Sequence, residues 1–252
     1  MFFDTHAHYD DEAFEEDREP LLSRLNGEGI DYIIDPGCDL KSSQAALALA
    51  EHYPFVYAAV GFHPEELEKY CEIDFQQIEK LATHPKCVAI GEIGLDYYWD
   101  ASHKTEQKVL FRRQIDLALA LDKPVIVHDR EAHGDCLEIV RDYPGLRGVF
   151  HCYSGSTEMA AELLKLGWYL GFDGPVTYKN ARKALEVAAA LPLERIVLET
   201  DCPYMSPEPF RGKRNDPGKL YRMAQALAAL RGLSEEAVQR VTLENGRRLY
   251  RI

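Results

Sequence analysis

"CVAIGEIGLDY" (Cys87–Tyr97) is an apolar run of strand character. "KTEQKVLFRRQIDLALALDKP" (Lys104–Pro124) follows, with apolar residues at three- and four-residue spacing, and "PVIVHDR" (Pro124–Arg130) returns to the strand pattern. A strand-type run, a helical pattern and a second strand-type run make a βαβ unit of a parallel sheet. Outward from this unit the alternation continues in both directions. Towards the N-terminus lie "MFFDTHAH" (Met1–His8), "IDYIIDPG" (Ile30–Gly37) and "FVYAAVGFHP" (Phe55–Pro64). Towards the C-terminus lie "GVFHCYSG" (Gly148–Gly155), "WYLGFDGP" (Trp168–Pro175) and "RIVLETDCP" (Arg195–Pro203). Amphipathic stretches such as "KSSQAALALAEHY", "DFQQIEKLATHP" and "STEMAAELLKLG" separate them. Eight strands with intervening helices in 252 residues predict an α/β fold, a closed (β/α)8 TIM barrel forming one domain over residues 1–252. An open doubly wound sheet is the alternative, but it usually brings a Gly-rich βα turn, and "GEIGLD" is no GxGxxG. The tail "SEEAVQRVTLENGRRLYRI" (Ser234–Ile252) reads as a final helix packing on the barrel, with Asn245 as a hydrogen-bonding residue.

Composition narrows the function classes. The chain is 46% hydrophobic and 28% charged, and its apolar runs are too short to cross a bilayer, so no membrane association is expected. No basic segment followed by an apolar core opens the chain, and the six cysteines show no CxxC spacing; together these predict reduced thiols in a cytoplasmic protein. Nothing calls for an obligate protein partner. The net charge of -13 disfavours a general nucleic-acid binder, so an anionic substrate would have to be attracted locally.

In "DTHAH" (Asp4–His8) two histidines stand one residue apart in a strand-like segment. Residues i and i+2 of a strand share a face, so His6 and His8 converge, close enough to hold one cation at the roughly 2.0–2.1 Å of a metal–nitrogen bond. Alone the pair could be two ordinary strand histidines. The other strand ends change the balance, because the C-terminal rim where barrel chemistry sits also collects His63, Glu92, His128, His151 and Asp201. So many titratable groups on one rim would be costly to bury without a cation to unite them. Four imidazoles and two carboxylates exceed one tetrahedral ion and suit two divalent cations sharing a carboxylate, for which Glu92 is the natural bridge. His52, His84, His103 and His133 fall in helices or loops and are expected to be structural.

The set "DTHAH", "VGFHP", "GEIGLDYY", "VIVHDR", "FHCYSG", "LETDCPY" and "RGKRNDP" resembles, in order and over almost the whole chain, the TatD family of metal-dependent deoxyribonucleases within the amidohydrolase-like barrels. The resemblance implies that His6, His8, Glu92 and Asp201 hold one metal, and that Glu92, His128 and His151 hold the second. It implies hydrolysis of DNA, with exonucleolytic removal of nucleotides from single-stranded ends. Tyr98 and Trp99 stand where relatives often carry His-Arg, and Tyr153 where Phe is common, which bears on substrate preference.

 The reaction that the resemblance implies is phosphodiester hydrolysis with a metal-activated water as nucleophile.

Roles follow for the remaining rim residues. Two divalent cations, Mg, Mn or Zn by their ligand types, would activate water and offset charge on the phosphate. Asp201 is read both as a ligand and as acceptor of the water's proton, with an N-cap role in "TDCPY" as its structural alternative. His63 is read as a phosphate contact or leaving-group proton donor, or else as a supporting hydrogen bond. Tyr153, with Tyr97, Tyr98, Trp99 and Tyr204, would stack bases or simply pack the rim. Arg211, Lys213 and Arg214 in "FRGKRNDP" are the candidate grip on a phosphate backbone. Cys152 and Cys202 neighbour proposed ligands, but alternation turns them towards the helix layer. A small-molecule amidohydrolase, lactonase or phosphoesterase on the same two-metal centre is the alternative function, and an inactive metal-binding scaffold is the non-enzymatic one.

Overall fold

The computed structural model describes residues 1–99 and 101–252. Among these, eight parallel strands occur in the order in which they pair: β1 (Phe2–Asp4), β2 (Ile30–Pro36), β3 (Val56–Val60), β4 (Cys87–Asp96), β5 (Val125–Arg130), β6 (Gly148–Phe150), β7 (Tyr169–Phe172) and β8 (Ile196–Leu198). The helices are α1 (Arg18–Leu25), α2 (Leu40–His52), α3 (Glu72–Leu81), α4 (Lys104–Ala120), α5 (His133–Arg141), α6 (Thr157–Lys165), α7 (Arg182–Ala190), α8 (Leu220–Arg231) and α9 (Glu235–Tyr250). This is the (β/α)8 barrel that the alternation predicts. All ten residues of β4 are buried, as a strand covered on both sides requires.

The barrel closes just beyond the regular ladders. Thr5 N–H donates to Leu198 O at 3.1 Å, Asp201 N–H to His6 O at 2.9 Å and His8 N–H to Cys202 O at 2.8 Å. The regular part of the first strand ends at Asp4, earlier than "MFFDTHAH" suggests, where the Asp4 carboxylate takes donors from both sides of the seam: Thr200 N–H at 2.9 Å, the Thr200 hydroxyl at 2.6 Å and His6 N–H at 3.4 Å. The seam that completes the barrel is therefore the segment that carries His6, His8 and Asp201.

The opposite mouth is filled by α9. Its Leu249 and Tyr250 join Phe3, Ile34, Ile126, Val149 and Val197 in an apolar cluster at the barrel floor. A Cβ on Gly246 would come within 2.5 Å of the Phe3 ring, so only glycine permits this approach. Asn245 Nδ2 donates to Leu193 O at 2.8 Å and Ile196 O at 2.7 Å, fixing the helix to the start of β8. On the other flank, α4 buries Gln107 and Gln114, two turns apart on one face. Gln114 pairs with both backbone groups of Phe62, at 2.7 and 3.0 Å, and Gln107 with both of Asp96, at 2.9 and 3.0 Å. These clamps fix the chain beside His63 and at the end of β4. No helix among the described residues is long and apolar enough to cross a membrane.

Candidate metal centre

Glu92 projects from β4 into a ring of imidazoles, and its two oxygens face different histidines. Oε2 lies 3.3 Å from His6 Nε2 and 3.6 Å from His8 Nε2. Oε1 lies 2.7 Å from His151 Nε2, 2.9 Å from His128 Nδ1 and 3.5 Å from His63 Nε2. Asp201 Oδ1 completes the first group, 3.6 Å from the Nε2 of both His6 and His8. The six residues expected to bind metal, with His63, are thus brought together on the C-terminal rim.

The other ring nitrogens determine which lone pairs are free to ligate. His8 Nδ1 lies 3.1 Å from the Pro36 carbonyl, which can only accept, so Nδ1 carries a proton and, in the neutral ring, Nε2 has its lone pair on the side of Glu92 and Asp201, free for a cation between them. His128 Nε2 lies 2.9 Å from Asp96 Oδ2, which leaves Nδ1 for the Glu92 side. His63 has the reverse arrangement. It caps the 3-10 segment Pro64–Lys69, and its Nδ1 accepts from Glu65 N–H at 3.2 Å, so in the neutral ring the proton sits on Nε2, which faces the centre. A neutral His63 therefore presents a donor to the centre, where His8 and His128 present lone pairs only once deprotonated, as ligation requires.

Electrostatics match. Burial alone would raise Glu92, but His151, His63 and His6 beside it hold its carboxyl well below the usual range. Burial opposes charge on His151 and His128 too, yet the Glu92 carboxylate raises His151 to about 10, and Asp96 with Glu92 raises His128 to about 9. Burial and the neighbouring His151 push His6 down to about 4. The pocket thus favours positive charge inside a buried shell. His6, His8 and Glu92 form one group able to hold an ion, and Glu92, His128 and His151 a second. Borderline imidazole donors joined by a hard carboxylate fit divalent cations.

Asp96 and Glu199 are not among the residues that the motifs single out, yet both support the centre. Asp96 stands four residues after Glu92 on one strand, and strand alternation could have pointed to it. At Gly94, between them, a Cβ would come within 2.0 Å of His128 O, which brings β4 and β5 together at the site. Glu199 fills the barrel beneath, accepting from Cys152 N–H and lying 3.4 Å from the Thr5 hydroxyl and 3.9 Å from His151 Nδ1.

The expected substrate contacts are placed differently from one another. Arg211 and Lys213 are exposed on the loop after β8, with Arg211 over the Tyr178 ring at 4.4 Å. Arg214 is engaged by Asp17, at 2.7 and 2.5 Å, and by Ala13 O at 2.8 Å, so its guanidinium is a strut between this loop and the N-terminal segment. Tyr153 is buried, its hydroxyl donating to Ser156 O at 2.8 Å, so its ring lies within the wall. Tyr98, Trp99 and Tyr204 are exposed. Cys202 is buried in the main core, and the Cys152 thiol lies against Asp173. His84 and His133 pair with Glu51 and Asp129, at 3.1 and 2.9 Å, away from the centre.

Comparison with known proteins gives a consistent picture. Residues 3–251 match the family model described as TatD related DNase. The chain is 42% identical to an uncharacterized metal-dependent hydrolase, YabD, of Bacillus subtilis, covering all of both chains. It is 34% identical to the 3'-5' ssDNA/RNA exonuclease TatD of Musicola paradisiaca, covering 99% of this chain and 98% of that one. The crystal structure of the TatD homologue YjjV from Escherichia coli superposes with a TM-score of 0.93 at 36% identity, covering 100% of this chain and 98% of that one.

Proposed function

Because the chain belongs to the TatD family of metal-dependent hydrolases, we propose that it hydrolyses phosphodiester bonds of DNA at a centre of two divalent cations, removing nucleotides from single-stranded ends. The observation that carries this reading is the division of Glu92, whose Oε2 faces His6 and His8 while its Oε1 faces His128 and His151. Bound cations would polarise the phosphate and lower the pKa of water, the chemistry that phosphodiester cleavage requires.

The protein's own groups supply the rest. Asp201, facing His6 and His8, accepts the proton of the attacking water. His63 Nε2–H, on the opposite side of Glu92, donates to the leaving oxygen, and its proton is held in place by the cap that engages Nδ1. Arg211 and Lys213 hold the phosphate backbone of the strand. A 34% identical relative is named as an exonuclease on single-stranded DNA and RNA, which supports the substrate class. The net charge of -13 favours the rival, a small-molecule esterase or lactonase. Pure protein with Mg2+ or Mn2+ should shorten an end-labelled single-stranded oligonucleotide stepwise and leave neutral lactones untouched. Turnover of lactones without oligonucleotide cleavage would reverse the assignment.

A further inference from the structure

Beside the metal centre, the 3-10 segment Pro64–Lys69 and α4 enclose a cleft of about 720 Å³. Its exposed walls are largely apolar, from Leu67, Tyr70, Trp99, Val109 and Leu110, with the carboxylates of Glu68 and Glu106 on its lining as well, which suits an uncharged base better than a phosphate inside it. Trp99 is 63% exposed and Val109 64%, an unusual cost for large apolar groups on one rim. The cleft is continuous with the centre through Glu65, which lines it and whose carboxylate lies within 4.8 Å of ring nitrogens of His63 and His128. Arg130, two residues beyond His128 on β5, lies outside the lining but against it, with its guanidinium 4.1 Å from the centroid of Tyr98 and 5.3 Å from that of the lining residue Trp99.

We propose that this cleft receives one unpaired nucleobase of the strand whose phosphate lies at the metal centre, with Trp99 as its stacking wall and Arg130 beside the adjoining phosphate. The inference rests on the nucleic-acid reading above. A base offers a flat π-face to the indole and apolar walls, while the sugar-phosphate joining it to the centre is anionic and matches Arg130. An apolar protein segment would suit the walls but leaves the cation at the junction unused. A base-paired nucleotide cannot turn into the cleft, so the site selects unpaired strands while reading no particular base.

The test uses the metal-loaded protein and an octathymidylate in which a single abasic tetrahydrofuran residue is walked along the positions next to the cut. At one position, base removal should raise KM roughly five- to 150-fold, the range that stacking of one base supports. Trp99→Ala should raise KM similarly on the intact oligonucleotide and hardly at all on that abasic one, and Trp99→Phe should restore most of the loss. In a phosphorothioate-linked octamer that resists cleavage, 2-aminopurine at the same position should be quenched on binding the wild-type protein and not on binding Trp99→Ala. Normal cleavage with no abasic position effect in the wild-type protein, or equal KM values for Trp99→Ala on both substrates, would overturn the cleft while leaving the nuclease reading intact. Absence of oligonucleotide cleavage and binding in the wild type would overturn both.

Discussion

Glu92 is tolerated in a buried ring because five imidazoles surround it, and its replacement tests whether one carboxylate serves both halves of the centre. Glu92→Ala should retain less than about a tenth of wild-type turnover, a rise of more than roughly 1.4 kcal/mol in the barrier, while circular dichroism shows the fold intact. A supporting residue should behave differently. Asp96→Asn keeps the shape beside His128 but weakens acceptance of its Nε2 proton, so metal affinity should fall about 10- to 100-fold, measured by competition with a chelator. Unchanged affinity would make Asp96 a mere neighbour. The candidate ligands were legible in the sequence because each sits within or just beyond the C-terminal half of a strand-type run, where alternation and position towards the rim are readable without coordinates. The tautomer of His63 was not, since it depends on the Glu65 N–H two residues on. Nor was the commitment of Arg214, because Asp17 is distant in sequence and meets it only when the barrel closes.

At the scale of elements, hydrophobic periodicity located the eight strands, but it overran their ends: His6 and His8 lie past the regular part of β1, where the Asp4 carboxylate takes donors from both sides of the seam. Periodicity also gave no sign of the clamp on α4, since two glutamines within an apolar face look like interruptions of it. Their function is to satisfy the backbone of Phe62 and Asp96, next to His63 and at the end of β4. Gln114→Leu would leave a buried N–H and C=O of Phe62 unpaired, and urea denaturation should show a loss of about 2–4 kcal/mol. The same variant should lower turnover by displacing His63. Stability equal to wild type would mean that water replaces the amide and the clamp is dispensable.

Over the whole molecule, 42 acidic side chains against 29 Lys and Arg make an unfavourable field for a polyanion, so attraction must come from the rim. If Arg211 and Lys213 each meet one phosphate, changing both to Gln should reduce the slope of log affinity against log salt for a single-stranded oligonucleotide by about 1.4, at roughly 0.7 per contact. An unchanged slope would move the strand off this loop. All of these expectations depend on the two faces of Glu92 each serving a cation, and anomalous scattering from crystals soaked in Mn2+ tests that most directly. Two peaks are expected, one at Glu92 Oε2 among His6, His8 and Asp201, and one at Oε1 between His128 and His151. A single peak, or peaks away from Glu92, would contradict a cation at each face of Glu92.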